Sequence, residues 1–141
     1  MRPSSTIRRR LLAASLFLAV TACGSSTDAN PLAGSYVATT FQVTPTGESM
    51  IDVLAYGGTL GITIANDNST SGTLFVPASL AGEVLTESMA GTAVLTGNRV
   101  AFTQSSNTFV KGLTFTVNGS TLEAMNQALN GATFDVVLTR Q

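Results

Sequence analysis

The residue types that carry most enzyme chemistry are nearly absent from this chain. It contains no histidine and a single cysteine, Cys23. Nucleophile systems that need a histidine as general base are therefore excluded, together with the usual zinc sites. A pair of carboxylates would be the remaining catalytic device. The carboxylates lie on turns and outward strand positions, with no spacing that brings two of them together: Asp52, Asp67, Glu83, Glu87, Glu123 and Asp135. We expect a solvated acidic surface, no metal, no cofactor and no enzyme activity.

The one cysteine ends a segment that has the form of an export signal. Arg2 and Arg8-Arg9-Arg10 give the chain a positively charged start, and residues 11–20 are all apolar or small. An apolar stretch of this length is too short for a permanent membrane helix, which needs about 20 residues, and is typical of a secretory signal core. The junction Val20-Thr21-Ala22-Cys23 resembles the lipobox of bacterial lipoproteins.

That resemblance implies a specific modification of Cys23. Residues 1–22 would be a signal peptide that is cut off, the Cys23 thiol would carry a diacylglyceryl group, and the new amino terminus would be acylated, for example with palmitate. Such lipids would account for an unpaired thiol in an exported protein, and two or more acyl chains anchor a protein stably in a membrane. The alternatives are an ordinary secretory leader, cut near Ala22, and a twin-arginine export signal at Arg8-Arg9.

The residues after Cys23 define the location and charge of the exported protein. Residues 23–33 are small and polar and are predicted to form a flexible lipidated tether, and Gly24 points, by the same resemblance, to the outer membrane of a bacterial cell envelope. Without the leader, three basic residues face eight acidic ones, so the net charge is −5. This acidic body has no basic surface for phosphates, which argues against nucleic-acid partners. We expect a monomer.

The body of the chain alternates apolar and polar residues in short segments separated by turn residues, which is the pattern of strands. Eight strands are predicted over residues 34–43, 59–65, 72–76, 89–96, 99–104, 112–118, 120–125 and 132–140. Residues 48–55 are predicted to form a short helix between the first two strands. Residues 77–88 fit a loop, a short helix or an extra edge strand, and residues 126–130 fit a wide turn or one helical turn.

Short turns that join consecutive strands favour an all-β fold. We predict an eight-stranded up-and-down antiparallel barrel over residues 34–141, since closure of the sheet removes exposed strand edges. A two-sheet β-sandwich would also satisfy the alternation. Gly34-Ser35-Tyr36, the hairpin GTAVLTGNRVAFT, the segment LTFTVNGSTLEA and the final FDVVLTRQ resemble the small lipocalin-like domains of bacterial lipoproteins, within the calycin group. The resemblance covers residues 32–141 and implies a barrel that carries a small hydrophobic ligand.

The alternation also predicts which side chains point into the barrel. The inward set is Leu60, Ile62, Ile64, Leu74, Val76, Val100, Phe102, Leu113, Phe115, Val117, Leu122, Phe134, Val136 and Leu138, with the threonines pointing outward.

An eight-stranded barrel is just wide enough to be filled by side chains or to hold one small ligand. The candidate ligand-binding residues of the lumen are Tyr36, Phe102, Phe115 and Phe134, with Tyr56 at the mouth and residues 48–56 as a lid. The alternative is that these aromatic side chains are simply core. A cavity would favour a ligand carrier in the envelope, whereas an exposed apolar patch on residues 77–88 would favour a module that binds, or inhibits, another envelope protein.

Overall fold

The structure is a computed structural model that describes residues 29–141. The predicted signal peptide, Cys23 and residues 24–28 lie outside the described residues. The strands are β1 (Gly34–Pro45), β2 (Ile51–Asp52), β3 (Thr59–Ile64), β4 (Ser69–Val76), β5 (Leu85–Ser88), β6 (Gly91–Thr96), β7 (Arg99–Gln104), β8 (Thr114–Asn118), β9 (Thr121–Leu129) and β10 (Ala132–Arg140). A four-residue helix α1 (Ala78–Ala81) precedes β5, and one 3-10 turn (Phe109–Gly112) precedes β8.

Eight of these strands form a closed antiparallel barrel, as the sequence predicted. The order around the wall is β1, β3, β4, β6, β7, β8, β9 and β10, so that neighbours in space follow one another along the chain. The barrel closes where β10 pairs with β1, from Tyr36 opposite Arg140 to Pro45 opposite Ala132. This closure leaves neither β1 nor β10 with a free edge along most of its length, which is the physical reason to prefer a barrel to an open sheet.

The two remaining strands, β2 and β5, pair with β1 and β4, and β5 completes the wall where β4 and β6 diverge. β4 pairs with β5 through Thr73–Val76 and with β6 only through Ser69 and Thr70. Met89 lies between β5 and β6 and donates its N–H to Gly72 O at 3.0 Å, so β5 and β6 form one bent strand beside β4. On its other side β4 packs closely on β3 at Gly72: its φ is +130°, and a Cβ there would lie 2.1 Å from Gly61 O of β3.

The helix predicted over residues 48–55 is wrong. The segment instead forms β2, which pairs with Gln42 and Val43 of β1, followed by hydrogen-bonded turns over residues 53–58. Two contacts explain the difference. Val53 N–H donates to Phe41 O at 2.8 Å, which fixes the backbone to the sheet, and a carboxylate oxygen of Asp52 accepts the N–H of Leu54 at 3.1 Å. The local hydrogen bonds of an Asp side chain favour a turn over a helix.

The short helix lies elsewhere, in a segment for which the sequence left three possibilities open. Residues 77–88 contain both α1 and the extra strand β5, joined by Gly82, whose φ of +80° ends the helix. Among the helices in residues 29–141, none has the length and apolar character that crossing a bilayer requires.

The last hairpin also differs from the expectation of a wide turn or one helical turn over residues 126–130. β9 continues to Leu129, and Asn130 and Gly131 form a tight two-residue connection with φ values of +50° and +80°. Positive φ at both positions is typical of the turns that match the twist of a hairpin. A bulge at Asn126, whose N–H donates to an Asp135 carboxylate oxygen at 2.6 Å, keeps the longer strand in register with β10.

The core fills the middle of the barrel. All fourteen residues predicted to point inward belong to it, Val76 and Val117 at its margin. Phe41 of β1, Met89 between β5 and β6, and Val110 of the 3-10 turn are also fully buried. Two threonines depart from the outward pattern: Thr70 donates its hydroxyl to Met89 O, and Thr108 donates to the Gln104 side chain, each at 2.7 Å. These hydrogen bonds satisfy the polar groups that burial would otherwise leave unpaired.

Candidate functional site

An apolar cleft of about 240 Å³ lies at one end of the barrel, which we call the cleft end. The strand ends Pro45, Val76 and Phe134 contribute to its wall, and β2, α1 and β5 cover it. The ten lining residues are all apolar: Phe41, Val43, Pro45, Ile51, Val53, Val76, Leu80, Leu85, Phe109 and Phe134. Such a surface can bury an apolar molecule, and its side chains offer no acid, base or nucleophile.

Three phenylalanine rings form the floor of the cleft. Phe109 stacks on Phe134 with a centroid distance of 4.8 Å and an angle of 13° between the rings, and it meets Phe41 at 5.3 Å in a tilted arrangement. Phe109 is half-buried, whereas Phe41 and Phe134 are buried. The partly open face of Phe109 therefore offers a flat aromatic surface to a ligand, and its two neighbours fix the ring in place.

The cleft end is covered by short segments. β2 and its following turn are fixed to β1 by the hydrogen bond from Val53 to Phe41, and a Cβ at Gly58 would lie 2.4 Å from Val53 Cγ1. Helix α1 has only four residues and contains no buried side chain. Segments with few buried contacts open most easily in a folded protein, so α1 is the part of the cover that would admit a ligand at the lowest cost.

The opposite end, where β1 begins, is filled; we call it the entry end. Residues 30–33, predicted to belong to the tether, pack here, and Leu32 is fully buried. The Tyr36 hydroxyl donates to Leu32 O at 2.9 Å and accepts from Arg140 Nε at 3.1 Å and Nη2 at 2.6 Å. Arg140 Nη2 also donates to Pro31 O at 2.5 Å, and the guanidinium lies 5.2 Å from the centroid of the Tyr36 ring. Together these contacts close the barrel at this end.

The five predicted ligand-binding residues lie at different levels of the barrel. Tyr36 takes part in the closure of the entry end, and Phe102 and Phe115 meet edge to face at 5.4 Å in the packed middle. Phe134 lines the cleft, and Tyr56 is exposed on the turn after β2. Of the five, the structure therefore brings only Phe134 to the cleft.

Most of the residues that line the cleft are not among the ligand-binding residues predicted from the sequence. Phe41 and Phe109 carried the clearest signal that could have been used, since each is a large aromatic residue in a segment rich in small polar ones. Val53, Leu80 and Leu85 lie in segments with no alternation, so no periodic pattern pointed to them.

Two larger depressions lie outside the barrel core. One of about 440 Å³ follows the outer faces of β1, β3 and β4 and includes the exposed side chains of Val37 and Thr73. The other, of about 540 Å³, lies at the entry end between Asn30, Asn68 and Leu95. Both have exposed polar side chains in their walls, whereas the smaller cleft is lined by apolar residues alone, which makes the cleft the best candidate for binding a small molecule.

The charges of the described residues are unevenly placed. Glu48, Asp52, Glu83 and Glu87 lie in the segments that surround the cleft end, where Lys111 is the basic residue. At the entry end, hydrogen bonds from the hydroxyl and the N–H of Ser69 lower the pKa of Asp67. Within residues 29–141, no three acidic, cysteine or histidine side chains are grouped as metal ligands would be.

The fold is a closed eight-stranded antiparallel barrel, which is consistent with a lipocalin-like fold. No protein-family model, no characterised protein and no solved structure matches this chain.

Proposed function

We propose that this protein is a non-enzymatic lipoprotein of the bacterial cell envelope, anchored at the outer membrane through lipid on Cys23, and that its barrel binds a small apolar ligand in the cleft. The observation that carries the proposal is the apolar cleft of about 240 Å³ over the cluster of Phe41, Phe109 and Phe134. The resemblance of the leader to a lipobox, and of the body to lipocalin-like domains, supports the anchor and the carrier role.

The size of the cleft indicates the class of ligand. It exceeds the roughly 150 Å³ of a dry cavity that holds benzene, and it is smaller than the about 300–1,000 Å³ of drug-sized sites. A ligand with one ring or a short hydrocarbon chain fits this range. Burial of about 150–200 Å² of apolar ligand surface gives about 4–5 kcal/mol, so we expect a Kd of about 0.2–1 mM for such a molecule.

The binding test uses the barrel and a series of one-ring probes such as toluene and indole. We expect saturable NMR shifts at Phe109 and Phe134 within the concentration range given above. Leu80→Trp places an indole in the cleft from α1 and abolishes the shifts, because the space is then occupied. Ser79→Trp is the matched control, since Ser79 is exposed on the same helix and does not line the cleft. Equal binding by both variants, or no saturable shift in the parent protein, would refute the carrier role.

The anchor has its own test. Protein extracted from membranes is expected to have an intact mass that begins at Cys23 and includes the diacylglyceryl and acyl groups. Cys23→Ala is expected to move the protein to the aqueous fraction, since it removes the modified atom. A chain that begins elsewhere, or a Cys23 thiol that remains free, would contradict the lipoprotein assignment without affecting the ligand proposal.

The exposure of Val84 favours a second candidate function, a module that binds another envelope protein. Val84 is 62% exposed between α1 and β5, and Met50 and Tyr56 are exposed on the neighbouring loop and turn. A photo-crosslinking residue at position 84, compared with one at Val37 on the wall, is expected under this alternative to form one defined protein adduct in cells. Adducts equally frequent at both positions would exclude a specific partner at this end.

A further inference from the structure

The position at which the chain enters the barrel is fixed. The Asn30 side-chain amide donates to Ala65 O and to Asn68 Oδ1, each at 3.0 Å, and Leu32 is buried beneath Tyr36. The bond from Arg140 to Pro31 O holds the same segment from the other side. Six residue steps separate Cys23 from Ala29, and a fully extended chain spans at most about 3.6 Å per step. A lipid on Cys23 therefore holds the entry end within about 20 Å of the membrane surface.

The β6–β7 hairpin exposes an apolar strand edge at this same end. β6 pairs with β4 through Gly91 and Thr92, and Ala93 N–H donates to Asn68 O at 2.8 Å, so the residues of β6 beyond Ala93 have a paired strand, β7, on one side alone. Leu95 lies two residues after the buried Ala93, in the inward phase of the strand, and yet it is 38% exposed, and Val94 is 52% exposed. An apolar strand edge without a partner is a pairing and aggregation hazard that proteins normally cover. This edge borders the depression of about 540 Å³ beside Asn30.

The distribution of charge indicates what covers the edge. In the described part of the chain, Glu48, Asp52, Glu83 and Glu87 surround the cleft end, with Asp135 on the neighbouring strand and Lys111 as the basic residue there. The entry end has Arg99 at the tip of the hairpin and Arg140 beside the entering chain. Among residues 29–141, the acidic groups near the entry end are Asp67 and Glu123, and both are hydrogen-bonded within the protein. An anionic lipid surface therefore repels the cleft end and tolerates the entry end.

We propose that the β6–β7 hairpin, through Val94, Leu95 and Arg99, rests on the bilayer that holds the Cys23 lipid. This inference depends on the lipid anchor of the proposed function. The apolar side chains enter the interfacial region, where apolar area and attraction to anionic lipids add to the hold of the acyl chains. The entry end then faces the membrane and the cleft opens away from it, into the aqueous space.

The test compares two introduced cysteines in the lipidated protein. In that protein the Cys23 sulfur is a thioether, so Leu95→Cys and Val84→Cys each supply the one thiol that reacts with an environment-sensitive fluorophore. The labelled proteins are reconstituted into vesicles of phosphatidylethanolamine and phosphatidylglycerol that contain spin-labelled lipid. We expect quenching at position 95 to exceed that at position 84 by about twofold or more, because only the hairpin reaches the interface. Val94→Cys gives a second site on the hairpin if the first variant folds poorly.

The outcomes separate this inference from the anchor on which it depends. Equal quenching at positions 95 and 84 in protein of the correct lipidated mass overturns the orientation and leaves the anchor intact. A second fluorophore on Cys23, with protein in the aqueous phase, overturns the anchor and the orientation together. A blue-shifted fluorophore at position 95 in lipid-free protein that starts at Ser25 shows that the chain itself, or a second copy, covers the edge, and it also overturns the proposal.

Discussion

Tyr36→Phe is expected to weaken the closure of the entry end by a measurable amount. The substitution removes one oxygen atom and keeps the buried ring, so it isolates the hydrogen bonds of the hydroxyl. That hydroxyl donates to Leu32 O and accepts from the Arg140 guanidinium. Without the hydroxyl, Leu32 O loses its side-chain donor and the Arg140 guanidinium loses an acceptor. The segment through which the chain enters the barrel is then held less tightly.

The magnitude follows from the two kinds of bond. A neutral hydrogen bond contributes about 1 kcal/mol and one to a charged group about 1.5–3 kcal/mol. Arg140 is only partly buried and keeps Pro31 O as a partner, so the lower part of that range applies to the charged bond. We expect the free energy of unfolding to fall by about 2–3 kcal/mol, which lowers the Tm of a domain of this size by roughly 8–15 °C.

The assay is urea unfolding of the barrel domain, with Tyr56→Phe as the matched control. Tyr56 is 59% exposed, and its hydroxyl makes no hydrogen bond to any of residues 29–141. We expect the control to change the free energy of unfolding by less than about 0.5 kcal/mol, as surface substitutions usually do. If Tyr36→Phe destabilises the protein no more than Tyr56→Phe does, the hydroxyl does not hold the entry end closed, and the argument above is refuted.

Two further predictions concern the turn and the close strand contact at β4. Gly72→Ala is expected to lower the free energy of unfolding by about 3 kcal/mol or more, because its Cβ would lie 2.1 Å from Gly61 O on a strained backbone. The control is Gly61→Ala, whose Cβ would have its nearest contact at 3.8 Å and which is expected to raise the free energy of unfolding by about 0.5 kcal/mol. Equal unfolding midpoints of the two variants would contradict this prediction. The pKa of Asp67, measured by NMR titration, is expected below its ordinary value of 3.8 and to rise in Ser69→Ala. The folded state therefore releases this proton more readily than the unfolded state, so the stabilisation is complete above about pH 5 and is lost as the pH falls through the lowered pKa; an unchanged value in the variant would refute this cause.

The barrel itself could be predicted from the sequence because its strands are amphipathic. In β3 every second residue is apolar and buried, and β7 follows the same alternation through Val100 and Phe102 before it ends at the buried, hydrogen-bonded Gln104. The tight turns at Gly97 and Gly119 each join two neighbouring strands. Where apolar and polar residues alternate along the whole strand and the turns are short, the sequence predicts which strands pair in the antiparallel sense and which face points inward.

The cleft could not be predicted, because its residues are brought together by tertiary contacts. The segment after β1 has the apolar spacing of a helix, yet the hydrogen bond from Val53 to Phe41 holds it along the edge of the sheet. Phe109 lies in a 3-10 turn, and its position beside Phe41 and Phe134 depends on where three strands end in space. The local sequence pattern does not predict contacts between residues that are distant in the chain, such as those of Phe109 with Phe41 and Phe134.

The seam between β1 and β10 has a consequence for how the chain acquires its structure. Tyr36 pairs with Arg140 across more than a hundred residues of sequence, and a contact of such long separation forms late, since the whole intervening chain must first be ordered. Before β10 has paired, β1 and β9 each have one unpaired edge. A chain that is synthesised from its amino terminus therefore cannot complete the barrel until β10, its last strand, is available. We therefore infer slow folding, in which the closure of the barrel between β1 and β10 is a late step.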